Sequence, residues 1–586
     1  MCGIVGYVGK EKALPIIVDG LKFLEYRGYD SAGVAYFLDN KIKITKEVGK
    51  IANLDKIIKY DDETFLGIGH TRWATHGKPC VLNSHPHQSG KFTIVHNGII
   101  ENYLDLKKRL INEGVEFKSE TDTEIVAALL NYNYRGNILE CISKTLGELH
   151  GSYALGILCD DDTNTLYSAR KGSPLILAHN ESGNFIASDV PAILKYTNKY
   201  YLLDDEEIAV LTSSDIKVFD INLNSIEKEE KIFEGSPESA MLNGYEHYML
   251  KEINEQPKVF RDTLNYYVEN YEFKSTMPEF KKYNSIHIVA CGSAYHVGLI
   301  GKRLIETYAN IPVNVCVASE YRYDNVFYDK DTLVIVISQS GETADSLAAL
   351  RKAKSDGVDT LAIVNVVGSS IAREALYTLY IKAGPEIAVA TTKAYSTQAL
   401  LIALFAIKLS GKNELLHELD GVEEIIKEVL NIDVSEVSEY IAKHNDGFFI
   451  GRLLDYALCM EGALKLKEIS YINCVAFAAG ELKHGTISLI SPGTPVISIC
   501  TDETVVEKTI SNIKEVKARD AYVLFVTNED IEGDFYDKKI VLPKVSPLVS
   551  ALITIIPLQL ISYEVARNRG CEIDKPRNLA KSVTVE

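Results

Sequence analysis

Short apolar runs separated by turn residues dominate the first part of the chain. Runs such as GIVGYV, FTIVHNG and YALGIL have the length and composition of β-strands. Helical spacing of apolar residues interrupts them only near 10–25 and 122–148. Many short strands with few helices predict an α+β layered domain. A polar, charged stretch at 222–240 ends this pattern, and we predict a first domain over residues 1–235.

Beyond this boundary the pattern changes to an alternation of strand, turn and helix. IHIVACGSA leads into a helix to about 308, and TLVIVISQSGET leads into another to about 356. TLAIVNV, TLYIKAG and a long helix over 393–410 follow. This alternation is typical of a parallel, doubly wound α/β sheet. The stretch 236–274 that precedes it is predicted to be a linker.

The same order of elements returns about 160 residues later. TPVISIC at 494–500 corresponds to TLVIVIS at 332–338, AYVLFVT corresponds to TLAIVNV, and KKIVLP corresponds to TLYIKA. A fixed offset over several strands indicates an internal duplication. We therefore predict two similar α/β subdomains at 275–415 and 437–576, followed by a tail at 577–586.

Composition and charge narrow the class of protein. The 586 residues are 46% hydrophobic and 24% charged, as in ordinary soluble proteins, and their number requires several domains. The net charge of -19 argues against binding to nucleic acid or to anionic membranes. The apolar stretch 552–561 is about one core helix long and contains Pro557, so we expect no membrane span.

The ten cysteines include no CxxC pair and no Cys/His spacing typical of a metal site. No secretory signal is recognisable in the first residues. Together these features predict a cytoplasmic protein with reduced thiols.

Cys2 follows the initiator methionine and precedes Gly3. Removal of Met1 would give Cys2 both a thiol and an α-amine, whose pKa of about 7.7–8.0 suits a general base. From position alone, an incidental cysteine is the simpler interpretation. The segments GHTRWATHG at 69–77, VHNGIIEN at 95–102 and SETDTE at 119–124 favour a catalytic one, because they are rich in polar and aromatic groups that a core strand would not carry.

These segments, with LEYRGYDSAG at 24–33 and ASDV at 187–190, resemble the class II glutamine amidotransferases. The resemblance implies an N-terminal-nucleophile glutaminase domain with αββα layers. It implies that Cys2 is the nucleophile, and that the Asn97 amide and the Gly98 N–H form the oxyanion hole. It also implies a glutamine pocket in which Arg72 holds the α-carboxylate, Asp122 holds the α-ammonium, and Trp73, Thr75 and His76 shape the walls.

Several histidines lie close together in this part of the sequence. His70, His76, His85 and His87 have the residue type of metal ligands, but their context favours structural roles. No metal site is therefore expected.

The strand TLVIVIS runs into Ser338-Gln339-Ser340-Gly341-Glu342-Thr343 and then a helix. Hydroxyls and free N–H groups at a helix N-terminus form an anion site, although a single serine there is more often an ordinary cap. The cluster resembles the phosphate loop of the sugar isomerase family, and Ser293 in CGSA at 291–294 matches a second loop of that family. The second copy has TDETV at 501–505 instead, so we predict one sugar site.

The segments EGALKLKEISYIN at 461–473 and AAGELKHG at 478–485, and the ending DKPRNLAKSVTVE, extend the resemblance to the whole chain. The chain as a whole resembles the glutamine–fructose-6-phosphate aminotransferase family. The resemblance implies that fructose 6-phosphate and glutamine become glucosamine 6-phosphate and glutamate, the first step of hexosamine synthesis, in a homodimer without a cofactor.

The same resemblance implies roles for residues of the sugar site. Lys581 would open the ring or form a Schiff base with the ketose, and Glu468 would move the proton between C1 and C2. His484 would assist ring opening and Lys465, three residues before Glu468 on one helix face, would support the site. The sugar phosphate would contact Ser293, Ser338, Gln339, Ser340, Thr343, Val389, Thr391 and Ala580.

Two residues depart from the family pattern, and three alternatives stay open. Ala294 stands where a hydroxyl is expected, and Thr486 where proline is usual. The alternatives are another class II amidotransferase, a paralogue that uses a different ketose phosphate, and a catalytically silent sugar-phosphate sensor. The duplicated sugar isomerase pattern argues against the first, and the joint presence of Cys2, Asn97 and Lys581 argues against the last.

Overall fold

The computed structural model describes residues 2–74, 76–233 and 241–583. The chain divides into two compact units. The first contains the residues up to Met241 together with those from Ala580, and the second contains Leu242–Leu579.

The first unit consists mainly of strands. They are β1 (Gly3–Gly9), β2 (Ser31–Leu38), β3 (Lys41–Val48), β4 (Leu66–Arg72), β5 (His87–Ser89), β6 (Phe92–Ile100), β7 (Gly151–Cys159), β8 (Asp162–Lys171), β9 (Ile176–Asn180), β10 (Gly183–Ala187), β11 (Lys199–Leu202), β12 (Glu207–Leu211), β13 (Ile216–Phe219), β14 (Ser225–Ile226) and β15 (Lys231–Ile232). The helices are α1 (Ala13–Leu24), α2 (Ile51–Asp55), α3 (Tyr103–Asn112), α4 (Asp122–Asn133) and α5 (Ile138–Leu146).

Within the described residues these strands form two antiparallel sheets, in the orders β15-β11-β9-β10-β1-β4-β2-β3 and β14-β13-β12-β8-β7-β6-β5. Apolar side chains of the two sheets, such as Ile4 and Ile68 from one and Val95 and Leu158 from the other, pack into a common core. Helix α1 covers the outer face of the first sheet, and α3–α5 cover that of the second. The result is the predicted αββα layering.

The second unit alternates strands and helices. Its strands are β16 (Val268–Glu269), β17 (Glu272–Phe273), β18 (Ser285–Ala290), β19 (Val313–Val317), β20 (Thr332–Ser338), β21 (Asp359–Val364), β22 (Tyr377–Tyr380), β23 (Asp446–Gly451), β24 (Asn473–Ala478), β25 (Pro495–Cys500), β26 (Tyr522–Thr527) and β27 (Lys538–Val541). Its helices are α6 (Tyr248–Asn254), α7 (Gln256–Tyr267), α8 (Gly292–Tyr308), α9 (Ala318–Tyr321), α10 (Ala344–Ser355), α11 (Ser370–Glu374), α12 (Lys393–Ser410), α13 (Val422–Leu430), α14 (Ser435–Ile441), α15 (Leu454–Ser470), α16 (Val506–Lys517), α17 (Pro547–Ile553) and α18 (Ile555–Asn568).

Two parallel sheets of identical topology confirm the duplicated, doubly wound α/β fold. Their orders are β19-β18-β20-β21-β22 and β24-β23-β25-β26-β27, so each places its second strand at one edge and its first strand next to it. Buried apolar residues line both faces of each sheet. One large core joins the copies through α8, α12, α15 and α18.

The stretch Pro547–Asn568 is long and apolar enough to cross a bilayer, but 94% of its apolar 18-residue window is buried inside the protein. Such burial is typical of a core helix. The range predicted as a linker, 236–274, contains α6 and α7, which pack within the second unit. Sequence analysis also missed α3, whose charged residues leave only Leu106 and Leu110 buried.

Candidate active sites

Cys2 lies at the start of β1, next to the end of β4. The pairing of Gly3 with Thr71 brings Cys2 beside Arg72 and Trp73, and the Trp73 N–H donates a hydrogen bond to the Cys2 Sγ at 3.3 Å. Burial raises the pKa of the Cys2 thiol, so a base is needed to form the thiolate near neutral pH.

The Asn97 side chain faces Cys2. Its Nδ2 donates to the Cys2 carbonyl oxygen at 2.9 Å, and its Oδ1 accepts from His70 Nε2 at 3.1 Å. Since His70 Nε2 also donates to the His96 carbonyl at 3.0 Å, this ring nitrogen carries the proton and fixes the orientation of the amide. Gly98 follows with φ of 128°, and a Cβ there would lie 2.1 Å from the Ser152 carbonyl oxygen. The Asn97 side-chain N–H group thus points to the backbone of Cys2, and an oxyanion hole needs such a donor beside the nucleophile.

A buried network of histidines supports this amide. The rings of His70 and His85 stack with their centroids 4.0 Å apart. His85 Nε2 and His96 Nδ1 lie 3.2 and 3.0 Å from the Thr123 hydroxyl. Burial lowers the pKa of His70 to about 3 and also lowers the pKa of His85 and His96, so all three are neutral at pH 7.

Sequence analysis assigned no role to His96, and for His70 and His85 it favoured structural roles over metal binding. The described residues contain no group of His, Cys, Asp or Glu side chains placed to hold a metal ion. His70 contacts the Asn97 side chain directly, while His85 stacks on His70 and shares the Thr123 hydroxyl with His96.

Two charged groups lie near Cys2. Arg72 Nη2 donates to the Gly77 carbonyl at 3.0 Å and also to that of His76, whereas its buried Nη1 has no hydrogen-bond partner among the described residues. Asp122 begins α4 and accepts the Ile100 N–H at 2.9 Å. Both residues also affect the pKa of the Cys2 thiol, although less than burial does: Arg72 lowers it and Asp122 raises it. A cation and an anion flanking the nucleophile suit the two charges of an α-amino acid.

The remaining predicted pocket residues adjoin this group. The His76 ring packs edge-on against Tyr103 with a centroid distance of 5.2 Å. Trp73 contacts Cys2 through its backbone, since its carbonyl lies 3.6 Å from the thiol sulfur. Thr75 lies outside the described residues.

The motifs at 24–33 and 187–190 hold the end of β4 in place. Asp30 accepts the Ala74 N–H at 2.8 Å through its side chain and donates its own N–H to the Arg72 carbonyl at 2.9 Å. Arg27 and Tyr26 both donate to Asp189 Oδ2 at 2.6 Å. These segments therefore fix the backbone on which Arg72 and Trp73 are carried.

The first phosphate-type loop joins β20 to α10. Ser338 Oγ accepts the Gly341 N–H at 3.1 Å and lies 3.0 Å from the Thr343 hydroxyl, and Ser340 Oγ accepts the Glu342 N–H at 3.2 Å. Gly341 has φ of 66°, and a Cβ there would lie 2.0 Å from Ser369 Oγ. A compact, hydroxyl-rich turn thus precedes the N-terminus of α10.

The loop that carries Ser293 meets this turn. Strands β18 and β20 are parallel neighbours, so their carboxyl ends lie at the same edge of the sheet. Ser293 is in the first turn of α8, and Cys291 Sγ lies 3.8 Å from Ser346 Oγ on α10. The Gln339 carbonyl accepts the Asn365 N–H at 3.1 Å, which ties the turn to the strand end next to it.

Val389 and Thr391 lie in the segment between β22 and α12. The Val389 N–H donates to the Asp574 carbonyl at 2.9 Å. The Thr391 hydroxyl donates to Glu386 at 2.7 Å, and the same buried carboxylate accepts the N–H groups of Thr392 and Ala394. Glu386 thereby shapes a segment that sequence analysis had described only through Val389 and Thr391.

In the second copy a side-chain carboxylate accepts hydrogen bonds from the corresponding loop. Asp455, at the start of α15, accepts the Thr501 N–H at 2.8 Å, the Thr501 hydroxyl at 2.5 Å and the Asp502 N–H at 3.3 Å. Donors that would bind a phosphate are therefore satisfied internally. This finding gives a physical reason for the single predicted sugar site.

Helix α15 carries a buried row of charged side chains. Lys465 Nζ lies 2.6 Å from Glu468 Oε2 and 3.5 Å from Glu461 Oε1. Burial acts against the Lys465 ammonium, but Glu468 and Glu461 outweigh it and raise the pKa of Lys465. Lys465 and Glu468 therefore form an ion pair on the helix face facing the core, as their spacing predicts.

Three further residues predicted for the sugar site, His484, Ala580 and Lys581, lie outside helix α15. His484 is exposed at the end of the short helix Glu481–His484. Ala580 and Lys581 group with the first unit, not with the unit that carries Ser338 and Glu468.

Known families match both units. The family model of the glutamine amidotransferase domain matches residues 79–195, and that of the SIS domain matches 279–408 and again 440–569. The C-terminal domain of glucosamine-fructose-6-phosphate aminotransferase from Francisella tularensis is similar in structure, with a TM-score of 0.55 and 36% identity over 57% of this chain and 100% of that one.

Relatives match the chain from end to end. The glutamine–fructose-6-phosphate aminotransferase (isomerizing) of Caldanaerobacter subterraneus is 49% identical over 100% of both chains. That of Methanosarcina mazei is 47% identical, again over 100% of both. The chain belongs to the glutamine–fructose-6-phosphate aminotransferase family. Membership of this family accounts for a glutaminase-type unit and two SIS copies in one polypeptide, and it removes the alternative of another class II amidotransferase.

Proposed function

We propose that this protein converts D-fructose 6-phosphate and L-glutamine into D-glucosamine 6-phosphate and L-glutamate. The observation that carries the proposal is the orientation of the Asn97 amide toward Cys2, in a chain that matches aminotransferases of that name over its whole length. We also propose that it acts in the cytoplasm as a homodimer, without nucleic acid, membrane or cofactor. The domain bounds 1–235, 275–415 and 437–576, with a tail at 577–586, are part of the same proposal.

The first half-reaction takes place at Cys2. With Met1 removed, the α-amine takes the thiol proton, and the thiolate attacks the amide carbon of glutamine. The oxyanion is stabilised by Asn97 Nδ2 and the Gly98 N–H. Ammonia leaves with the proton returned by the amine, and water then hydrolyses the glutamyl thioester to glutamate. Arg72 binds the α-carboxylate of glutamine and Asp122 its α-ammonium.

The second half-reaction takes place on the phosphosugar. Ser338, Ser340 and Thr343 bind the phosphate at the N-terminus of α10, with Gln339, Ser293, Val389, Thr391 and Ala580 completing the contacts. Lys581 and His484 open the sugar ring, and ammonia, carried internally, condenses with the C2 carbonyl and releases water. Glu468, paired with Lys465, then moves a proton from C1 to C2, which converts the imine of the ketose into an amino aldose.

The test uses glutamine labelled with ¹⁵N in the side-chain amide, together with fructose 6-phosphate and an excess of unlabelled ammonium. The Met1-trimmed protein is expected to form glucosamine 6-phosphate that retains ¹⁵N, with equimolar glutamate, in mass spectrometry. The Cys2→Ala variant is expected to form neither. Glutamate without aminosugar would favour a different ketose phosphate as acceptor, an alternative that Ala294 keeps open. Formation of neither product by folded, trimmed protein would contradict the proposal.

A further inference from the structure

A buried hydrogen bond joins the two SIS copies next to the sugar site. His296 on α8 and Glu461 on α15 approach to 2.7 Å between Nδ1 and Oε2, and both side chains are buried. A carboxylate oxygen can only accept, so His296 Nδ1 donates. The same carboxylate faces Lys465 with its other oxygen, Oε1, at 3.5 Å.

His296 lies between the phosphate loop and the acid–base pair. It is three residues after Ser293 on α8, which places both on one face of that helix. On α15, Glu461, Lys465 and Glu468 are spaced four and three residues apart and also share a face. The chain of contacts therefore runs from α8 through Glu461 and Lys465 to Glu468.

The position of Lys465 depends on how its two carboxylates are held. Lys465 is much closer to Glu468, at 2.6 Å, than to Glu461, at 3.5 Å. A buried carboxylate that loses one donor gains from drawing the remaining cation toward itself. Without His296, Glu461 would attract Lys465 more strongly, and Glu468 would lose the partner that sets its orientation.

We infer that His296 is a positioning residue for the sugar half-reaction. By satisfying Glu461, it leaves Lys465 paired with Glu468 in the geometry needed for proton transfer between C1 and C2. The inference rests on the proposed function, because it assigns His296 a role in the isomerisation step. Since the phosphate contacts are made elsewhere, at Ser293 and at residues 338–343, His296 acts on turnover and not on binding of the phosphosugar.

The test compares the full-length variants His296→Leu, His296→Asn and His296→Gln with the wild type. Leucine removes the donor at similar volume. The amide nitrogen of asparagine occupies the place of Nδ1, whereas that of glutamine lies one methylene further along. His287→Asn is the matched control, because His287 is a buried histidine of β18 that packs against Tyr321 and Tyr328.

Formation of glucosamine 6-phosphate is measured at saturating glutamine over a range of fructose 6-phosphate concentrations, alongside thermal melting. His296→Leu and His296→Gln are expected to lower kcat about 10–100-fold, as loss of a supporting hydrogen bond to an active-site group commonly does. KM for fructose 6-phosphate is expected to stay within about 3-fold. His296→Asn and His287→Asn are expected to keep kcat within about 3-fold of the wild type.

A wild-type kcat in His296→Leu, or an equal loss of kcat in His296→Asn and His296→Gln, would overturn the inference. If His296→Leu fails to fold, the difference in kcat between His296→Asn and His296→Gln is sufficient to test the inference. Failure of the proposed function is seen separately, since the wild type would then form no glucosamine 6-phosphate.

Discussion

The Asp455 carboxylate accepts both the backbone N–H and the hydroxyl of Thr501, at 2.8 and 2.5 Å. In the corresponding turn of the first copy the acceptors are neutral: the Ser338 and Ser340 hydroxyls accept the N–H groups of Gly341 and Glu342. The two copies share a scaffold but differ in which groups accept hydrogen bonds from the loop after the third strand. A single side chain at the start of α15 accounts for that difference.

Asp455→Asn is expected to change the pH dependence of stability. Burial raises the pKa of Asp455 to about 6, above its value in the unfolded chain. For a carboxyl group with a raised pKa, the native state binds more protons between about pH 4 and 6, so wild-type stability falls as pH rises through that range. Asparagine does not titrate, so the melting temperature of the variant relative to the wild type should be higher at pH 7.5 than at pH 5.0.

The expected change corresponds to roughly 1–2 kcal/mol in the free energy of unfolding between these two pH values. The measurement is thermal melting of both proteins in matched buffers. A difference in melting temperature that stays constant with pH would contradict the assignment.

Asn97→Ala is expected to lower kcat for glutamine hydrolysis about 100–1000-fold, because it removes a donor aimed at the transition-state oxyanion. KM for glutamine should change little, since the amino acid is held by Arg72 and Asp122. Glutamate release is the readout. Asn131→Ala, which alters an exposed residue of α4, serves as the control and should retain full activity.

Arg72→Lys is expected to raise KM for glutamine about 10-fold or more with a smaller effect on kcat. Lysine keeps the charge but lacks the planar fork whose Nη1 has no partner in the described part of the chain. Arg109→Lys, at a partly exposed ion pair with Glu148, is the matched control. Equal KM values for both variants would argue against a carboxylate at Arg72.

Ser340→Ala is expected to raise KM for fructose 6-phosphate about 10-fold or more, because a hydrogen bond to a charged group contributes about 1.5–3 kcal/mol. Thr504→Ala changes a hydroxyl in the corresponding loop of the second copy, where it donates to Asp502, and should leave KM unchanged. Initial rates with varied phosphosugar distinguish the two. An increase in KM in the Thr504 variant alone would place the phosphate site in the second copy.

Strong local signals explain what the sequence could predict of the fold. The composition of the strand ending at Ser338 and of the turn with Gly341 predicts both elements. The repeat at a fixed offset predicts that β20 and β25 occupy equivalent places in their sheets. The apolar periodicity of α3 and α7 is weaker. Charged residues on α3 and polar residues on and around α7 obscure the buried face of each helix.

The candidate sites were less predictable, because their supporting residues meet only after folding. His96 contacts a threonine 27 residues away, and His296 contacts Glu461 across 165 residues. Asp455 and His296 each stand as one polar residue in an apolar helical run, which is the signal that could have indicated a buried partner. An isolated polar residue of this kind does not reveal which residue it contacts in the folded protein.

The two ends of the second unit are fastened to each other. The N–H groups of Tyr248 and Met249 donate to Asp574, each at 2.9 Å, and Gln256 donates to Gln559 on α18. During synthesis on the ribosome, α6 and α7 emerge some 300 residues before the partners that complete their packing. The shared core of the two SIS copies therefore closes only after Pro547–Asn568 and Asp574 have been synthesised. Truncation shortly before residue 574 should thus yield chains that chaperones retain and proteases clear.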